Sequence, residues 1–210
     1  MANDTATLRA YVSAALMDAS NATWSTANID LLVGRSIASL FPRVQRPLIP
    51  ASYATTLVTL TYFYNISADI RSVSRLDLVD SDSNELGPLT PGTWEIAGDI
   101  RAGVGKLHLD PSIVETWVGG TVRYNGYGRY DGTTNLIPDD YVAYVVAHAR
   151  AAAFEWLTAD RVRFRQYLGA DQTTNTSSNE LYQLVSSAKR DVAEERSMIM
   201  TMRKPMPARI

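Results

Sequence analysis

Apolar positions recur at helical spacing in four stretches of the chain, and a strand-like stretch separates the second from the third. The longest periodic stretch is Pro138 to Leu168. Val142, Val145, Val146, Ala149, Ala152, Ala153, Trp156 and Leu157 share a stripe that Phe164, Tyr167 and Leu168 rejoin. The spacing predicts one helix roughly eight turns long. Pro138 suits its first position, where a missing N–H costs nothing. Asp139 and Asp140 sit at the positive end of the dipole, and Arg161, Arg163 and Arg165 near the negative end. Gly169 supplies a stop. The alanines at 149 and 151–153 keep part of the rod thin, so that a second helix can approach closely.

Two shorter helices are predicted near the start. Leu8, Tyr11, Val12, Ala15 and Leu16 share a face over Thr5 to Asp18, with Asp4 or Thr5 as cap. Ser25 caps a second helix running to about Phe41, and Trp24 and Ile29 have the spacing of a hydrophobic staple. Pro42 ends it. After a polar linker at 170–178, Ser177 and Glu180 have capping-box spacing. Leu181, Leu184, Val185, Ala188, Val192 and Met198 carry the stripe of a last helix. From Met198 the chain is read as an extended tail, because Pro205 and Pro207 forbid a helix.

Between the helices the composition shifts to Thr, Tyr, Val and Phe. Tyr53 to Ile66 and Ser72 to Val79 are predicted strands. Both faces of the first carry apolar groups, so it is covered on both sides or paired with a neighbouring subunit. Asp80 to Gly92 reads as a loop. Trp94 to Ile96, Lys106 to Leu109 and Thr121 to Tyr124 are short strands that glycines interrupt. The predicted fold class is therefore α+β and mainly α. A helical bundle (1–45 and 137–197) holds a β-rich insertion (46–136) and carries an extended C-terminal docking tail (198–210).

Composition narrows the classes of function. A net charge of −2 gives no bulk field to recruit nucleic acid or an anionic membrane. The absence of cysteine excludes a disulfide scaffold, thiolate catalysis and cysteine-bound zinc. No apolar run reaches the roughly 18 residues of a spanning helix, and the start lacks the basic-then-apolar pattern of a signal peptide. A soluble protein made in a reducing cytoplasm is expected.

Candidate chemistry is sparse. His148 borders the apolar stripe of the long helix without neighbouring metal donors, and reads as a packed histidine. His108 and Asp110 would share one face of a strand, which allows an acid–base pair and hence a small hydrolase, although no nucleophile motif accompanies them. Asp80, Asp82 and Asn84 have the spacing of a calcium loop. Its glycine and bidentate glutamate positions are held by Glu85 and Pro91, so a solvated loop is the better reading. The stretch GGTVRYNGYGRYDG lacks the lysine and following helix of a phosphate loop. Its Arg123, Tyr124, Tyr127, Arg129 and Tyr130 suit a subunit or tail interface. The end of the chain mixes Met198, Ile199, Met200, Met202, Met206 and Ile210 with Arg203, Lys204 and Arg209. That composition suits an extended peptide that orders against a partner.

Three segments carry a family resemblance: Leu8 to Arg43, Ile137 to Arg161 (IPDDYVAYVVAHARAAAFEWLTADR) and Asn179 to Met200 (NELYQLVSSAKRDVAEERSMIM). Their pattern and order resemble the head–tail connector, or adaptor, proteins of tailed double-stranded DNA bacteriophages. The resemblance implies a structural virion protein forming a ring, usually of twelve copies, beneath the portal. The helices would build its wall, and Met198 to Ile210 would reach the portal. Its partners would be other copies of itself, the portal and a tail or neck protein. Double-stranded DNA would pass through without being read, and no membrane, cofactor, metal or catalytic residue is expected. A tail terminator or another neck ring protein is the alternative within the virion.

Overall fold

The computed structural model describes residues 2–17, 23–160, 164 and 178–202. In chain order the elements are β1 (Ala2–Asn3), α1 (Thr5–Ala15), α2 (Thr26–Leu40), β2 (Arg46–Pro47), β3 (Ala54–Thr56), β4 (Phe63–Asn65), β5 (Ile70–Val79), β6 (Glu85–Pro88), β7 (Trp94–Asp99), β8 (Val104–Leu109), α3 (Pro111–Thr116), β9 (Thr121–Gly128), β10 (Ile137–Pro138), α4 (Asp139–Ala159) and α5 (Ser178–Met202). They form two compact units, Met1–Val44 with Tyr130–Ile210, and Gln45–Arg129.

In the helical unit, side-chain caps start the first two helices. Asp4 accepts from the Thr7 N–H at 2.7 Å and Ser25 from the Asn28 N–H at 3.3 Å. The Arg9 guanidinium grips both oxygens of Asp30 at 2.6 and 2.9 Å, tying α1 to α2. Trp24 and Ile29 are both fully buried, and Trp24 stacks on Trp156 of α4 at 5.9 Å. α4 packs against α1, α2 and α5, so it buries more than one stripe. Tyr144, Ala151 and Phe154 are buried along with Val145, Ala149, Ala153 and Leu157. β1 pairs antiparallel with β10, and the Asn3 amide donates to the Ile137 carbonyl (3.2 Å) and to Asp139 (2.8 Å). Pro138 occupies the N-cap rather than the first turn, and α4 closes at Ala159 with Asp160 extended. Arg161, Arg163, Arg165, Tyr167, Leu168, Gly169 and Ser177 lie outside the described residues.

The expected mainly helical bundle is corrected: the chain is a β-rich α+β fold with ten strands in three sheets among the described residues. Two features of the sequence hid the strands. Tyr53 to Ile66 is not one strand. β3 joins a five-stranded sheet, β4 joins a three-stranded one, and a turn separates them. Of the glycines read as interruptions, Gly126 and Gly128 lie inside β9, and Gly87, in the stretch read as a loop, lies inside β6. β9 is central, with β5 along one side and β2 and β3 along the other. Its register with β5 shifts near Val73, where a Cβ on Gly126 would collide with the Ser72 carbonyl. Glycine here permits close backbone approach and does not mark a turn. The three-stranded sheet runs β4-β8-β7. Its inner row of Tyr64 and Leu107 is buried, and Phe63, His108 and Glu95 lie on the other face.

Because the obstruction at Gly126 is backbone, it cannot rotate away. Gly126→Ala is expected to destabilise the protein by about 2 kcal/mol, read as a lower midpoint in urea unfolding. A wild-type midpoint would show that β5 and β9 have room to separate.

Candidate functional site

The Gly/Tyr/Arg stretch forms β9 and the turn after it, and the strand's alternation divides its side chains. Tyr124 is 2% exposed, and its hydroxyl lies 2.8 Å from Thr55 Oγ1. Burial raises its pKa. The expectation that Tyr124 meets a subunit is therefore corrected: it is a core residue. Arg123 points the other way and pairs with Glu85 at 2.7 Å. Beside it, Asn125 donates to Asp77 at 2.7 Å, and Arg75 holds the same carboxylate oxygen at 2.8 Å. Glu85, Arg123, Asn125, Asp77 and Arg75 thus make a polar ladder on one face of the larger sheet. Tyr127 is exposed, and the Arg129 N–H donates to the Asp69 carbonyl. Tyr130 falls in the helical unit, its ring 6.0 Å from that of Tyr141.

At the other end of the chain, α5 continues through Met202, so the expected extended tail is corrected for residues 198–202. The stripe through Leu181, Val185 and Ala188 reaches Ile199, which is buried in the helical core, while Met198 and Met200 are exposed. Arg203, Lys204, Met206, Arg209 and Ile210 lie outside the described residues.

His108 and Asp110 border one open hollow of about 260 Å³, together with Trp94, Glu95 and Pro111. The partner that His108 meets is Glu95, at 3.1 Å across the β7–β8 register, and Phe63 stacks on its ring at 4.4 Å. Neither neighbour was legible locally, because each is brought in by strand pairing. Asp110 is the N-cap of α3, which the sequence reading missed although Asp-Pro opens it. The Ser112 hydroxyl and N–H donate to Asp110 at 2.5 and 2.8 Å and hold its carboxyl below the usual range. His108 and Asp110 thus take different partners, Glu95 and Ser112, and the expected acid–base pair between them is not the hydrogen bond either one makes.

The acidic loop is an Asx turn. Asp80 accepts from the Asp82 and Asn84 N–H groups at 2.9 and 2.8 Å and from the Asn84 side chain at 2.9 Å. Asp131 repeats this motif with Thr133 and Asn135. Each carboxylate closes its own turn, and no cluster of metal-binding side chains occurs among the described residues. Nor is any described helix long and apolar enough to cross a membrane. His148 packs in the helical unit, with Nδ1 3.0 Å from Ser36 Oγ and its ring 5.8 Å from that of Tyr144.

No family model matches the chain, and no curated protein matches it. Among solved structures it is similar to a chain from the neck of an empty GTA particle computed with C6 symmetry. The identity is 16% and the TM-score 0.29, over 86% of this chain and 87% of that one.

Burial holds the His148 pKa below its ordinary value, and Glu155 opposes this only partly. Its neutral form therefore stabilises the fold fully above the unfolded value near 6.5, and that stability is lost as pH falls through the folded pKa. Thermal melts between pH 7.5 and 5 should show a falling midpoint that is flatter in His148→Gln. Parallel curves for the two proteins would exclude His148 as the cause.

Proposed function

We propose that this chain is a structural subunit of the neck of a phage-like particle, a ring protein joining the capsid vertex to the tail around a passage for DNA. The carrying observation is that the three segments resembling head–tail adaptors, far apart in sequence, fold together. They supply α1, α2, α4 and α5 of one helical unit. Surface chemistry supports the same reading. Arg123 and Tyr127 are offered on the β unit, and Tyr130 and Arg129 sit where the two units join in sequence. These four form the proposed subunit or tail interface. The exposed Met198 and Met200 begin the proposed portal-binding segment, which continues through Met202, Arg203, Lys204, Met206, Arg209 and Ile210. Ile199 serves that segment only by anchoring its helix in the core. With a net charge of −2, the channel wall would hold DNA weakly, so that it can pass.

In concentrated solution the chain should form closed rings of one copy number, counted by native mass spectrometry and seen by negative stain. A single-chain mass at every concentration would reject the ring. Removing residues 203–210 should leave the melting temperature unchanged and abolish co-purification with the portal of the same particle. Retained co-purification would place the portal contact elsewhere.

A further inference from the structure

Among the described residues Arg71 is the one charged side chain that the fold buries, at 6% exposure. The register of β5 with β9 shifts between Ile70 and Ser72, so Arg71 stands at an irregularity of the ladder without a paired residue. Irregularities of this kind re-aim a side chain. The Arg71 guanidinium reaches the turn between β7 and β8, where Nη1 donates to the Ile100 carbonyl at 3.4 Å. A Cβ on Gly103 would lie 2.6 Å from that nitrogen, so the glycine leaves the space that the guanidinium fills. Of the five N–H donors of Arg71, this long bond occupies one.

Its electrostatic neighbour is Arg129, the residue that follows β9. The Arg129 side chain makes no hydrogen bond or ion pair among the described residues, and its buried Nε has no partner. Burial, and after it the positive charge of Arg129, hold the Arg71 pKa below its ordinary value. Asp69 and Asp99 oppose this shift, but neither carboxylate comes within ion-pair distance of either arginine. Asp99 Oδ1 is taken by the Arg101 and Ala102 N–H groups of its own turn, at 2.9 and 3.1 Å. Arg9, Arg75, Arg123 and Arg150, by contrast, each meet a carboxylate. A buried cation is tolerated where a counter-ion meets it. Two guanidinium groups kept together without one point to an anion from outside the chain.

The number of unspent donors selects the anion. A carboxylate has two acceptor oxygens in one plane, which a single guanidinium fork satisfies. Two forks from neighbouring strands suit the tetrahedrally arranged oxygens of a phosphate. We propose that Arg71 and Arg129 form a binding site for a phosphate group, supplied as free phosphate or by the backbone of a nucleic acid. Asp69 and Asp99 offset the two positive charges, so directed N–H groups hold the anion and not a bulk field. The site lies within the β unit of one chain. It goes beyond the ring reading, with which it shares only Arg129.

Inorganic phosphate, titrated against chloride at equal ionic strength, should raise the melting temperature of the full chain along a saturating curve. Arg129→Gln should weaken the apparent phosphate affinity roughly tenfold or more. Arg75→Gln, the same loss of charge on the same sheet, should leave it unchanged. Without phosphate, Arg129→Gln should melt at the wild-type temperature or above it, because Arg71 loses a like-charged neighbour. Particle mass, read by light scattering in the same buffers, should not differ between the two proteins. Duplex DNA that displaces phosphate assigns the nucleic-acid backbone as the source, and duplex without effect assigns free phosphate. The site is overturned if the wild type shows no saturation, or if acetate works as well as phosphate. Equal losses in the two variants would mean an adventitious ion only. A lower phosphate-free melting temperature for Arg129→Gln would make Arg129 a structural residue, and a fall in particle mass would assign the effect to assembly; either refutes the site. A wild type that binds phosphate as a single chain refutes the ring and leaves the site standing.

Discussion

The closeness of β5 to β9 is the constraint on which the β unit is built. Gly126 lies so near the Ser72 carbonyl that no side chain fits, and Gly128 lies under the Asp69 carbonyl and the Arg46 guanidinium. With β5 fixed on one side, β9 offers its other edge to β2 and β3. The loop leaving β3 is pinned at Gly119 and Gly120, just before β9 begins. The position of the Leu60 turn therefore traces back to glycines in the strand that β3 pairs with. The polar ladder through Arg123 and Asp77 follows from the same pairing, since alternation along β9 sends Tyr124 into the core and Arg123 out.

The helices were legible in the sequence because their causes are local. Asp4 and Ser25 cap where their side-chain chemistry says they should, and the stripe of α4 is visible without knowing what covers it. The end of α4 was less legible, because the charged stretch after Ala159 reads as a helical face as easily as a break. Ile199 shows the reverse error. Pro205 suggested an extended tail, yet a proline restricts mainly the residue just before it, and α5 runs on through Met202. The strands were legible in composition but not in extent. A glycine that lets two backbones approach looks, in one dimension, like a glycine that turns the chain.

Side-chain constellations were the least legible, because register makes them. Glu95 and Phe63 reach His108 only through β7 and β4 on either side of β8. Asp110, two residues from His108, turned instead to the start of α3. Proximity in sequence suggested an acid–base pair, whereas pairing across strands created a different group with no nucleophile in it. Arg71 carried no pattern signal either, since what sets it apart is a register shift that composition does not reveal.

The division of the chain has a consequence for biosynthesis. The β unit is continuous from Gln45 to Arg129, whereas the helical unit needs residues from both sides of it. A ribosome delivers every strand partner of the larger sheet before it has made β10, whose Ile137 meets Asn3 from 134 positions earlier. Vectorial synthesis can thus let the inserted unit complete its pairing while α1 and α2 still wait for α4 to cover their apolar faces. The first 44 residues are those most in need of a chaperone's shelter during that interval, and slow decoding between Arg129 and Ile137 would prolong their exposure.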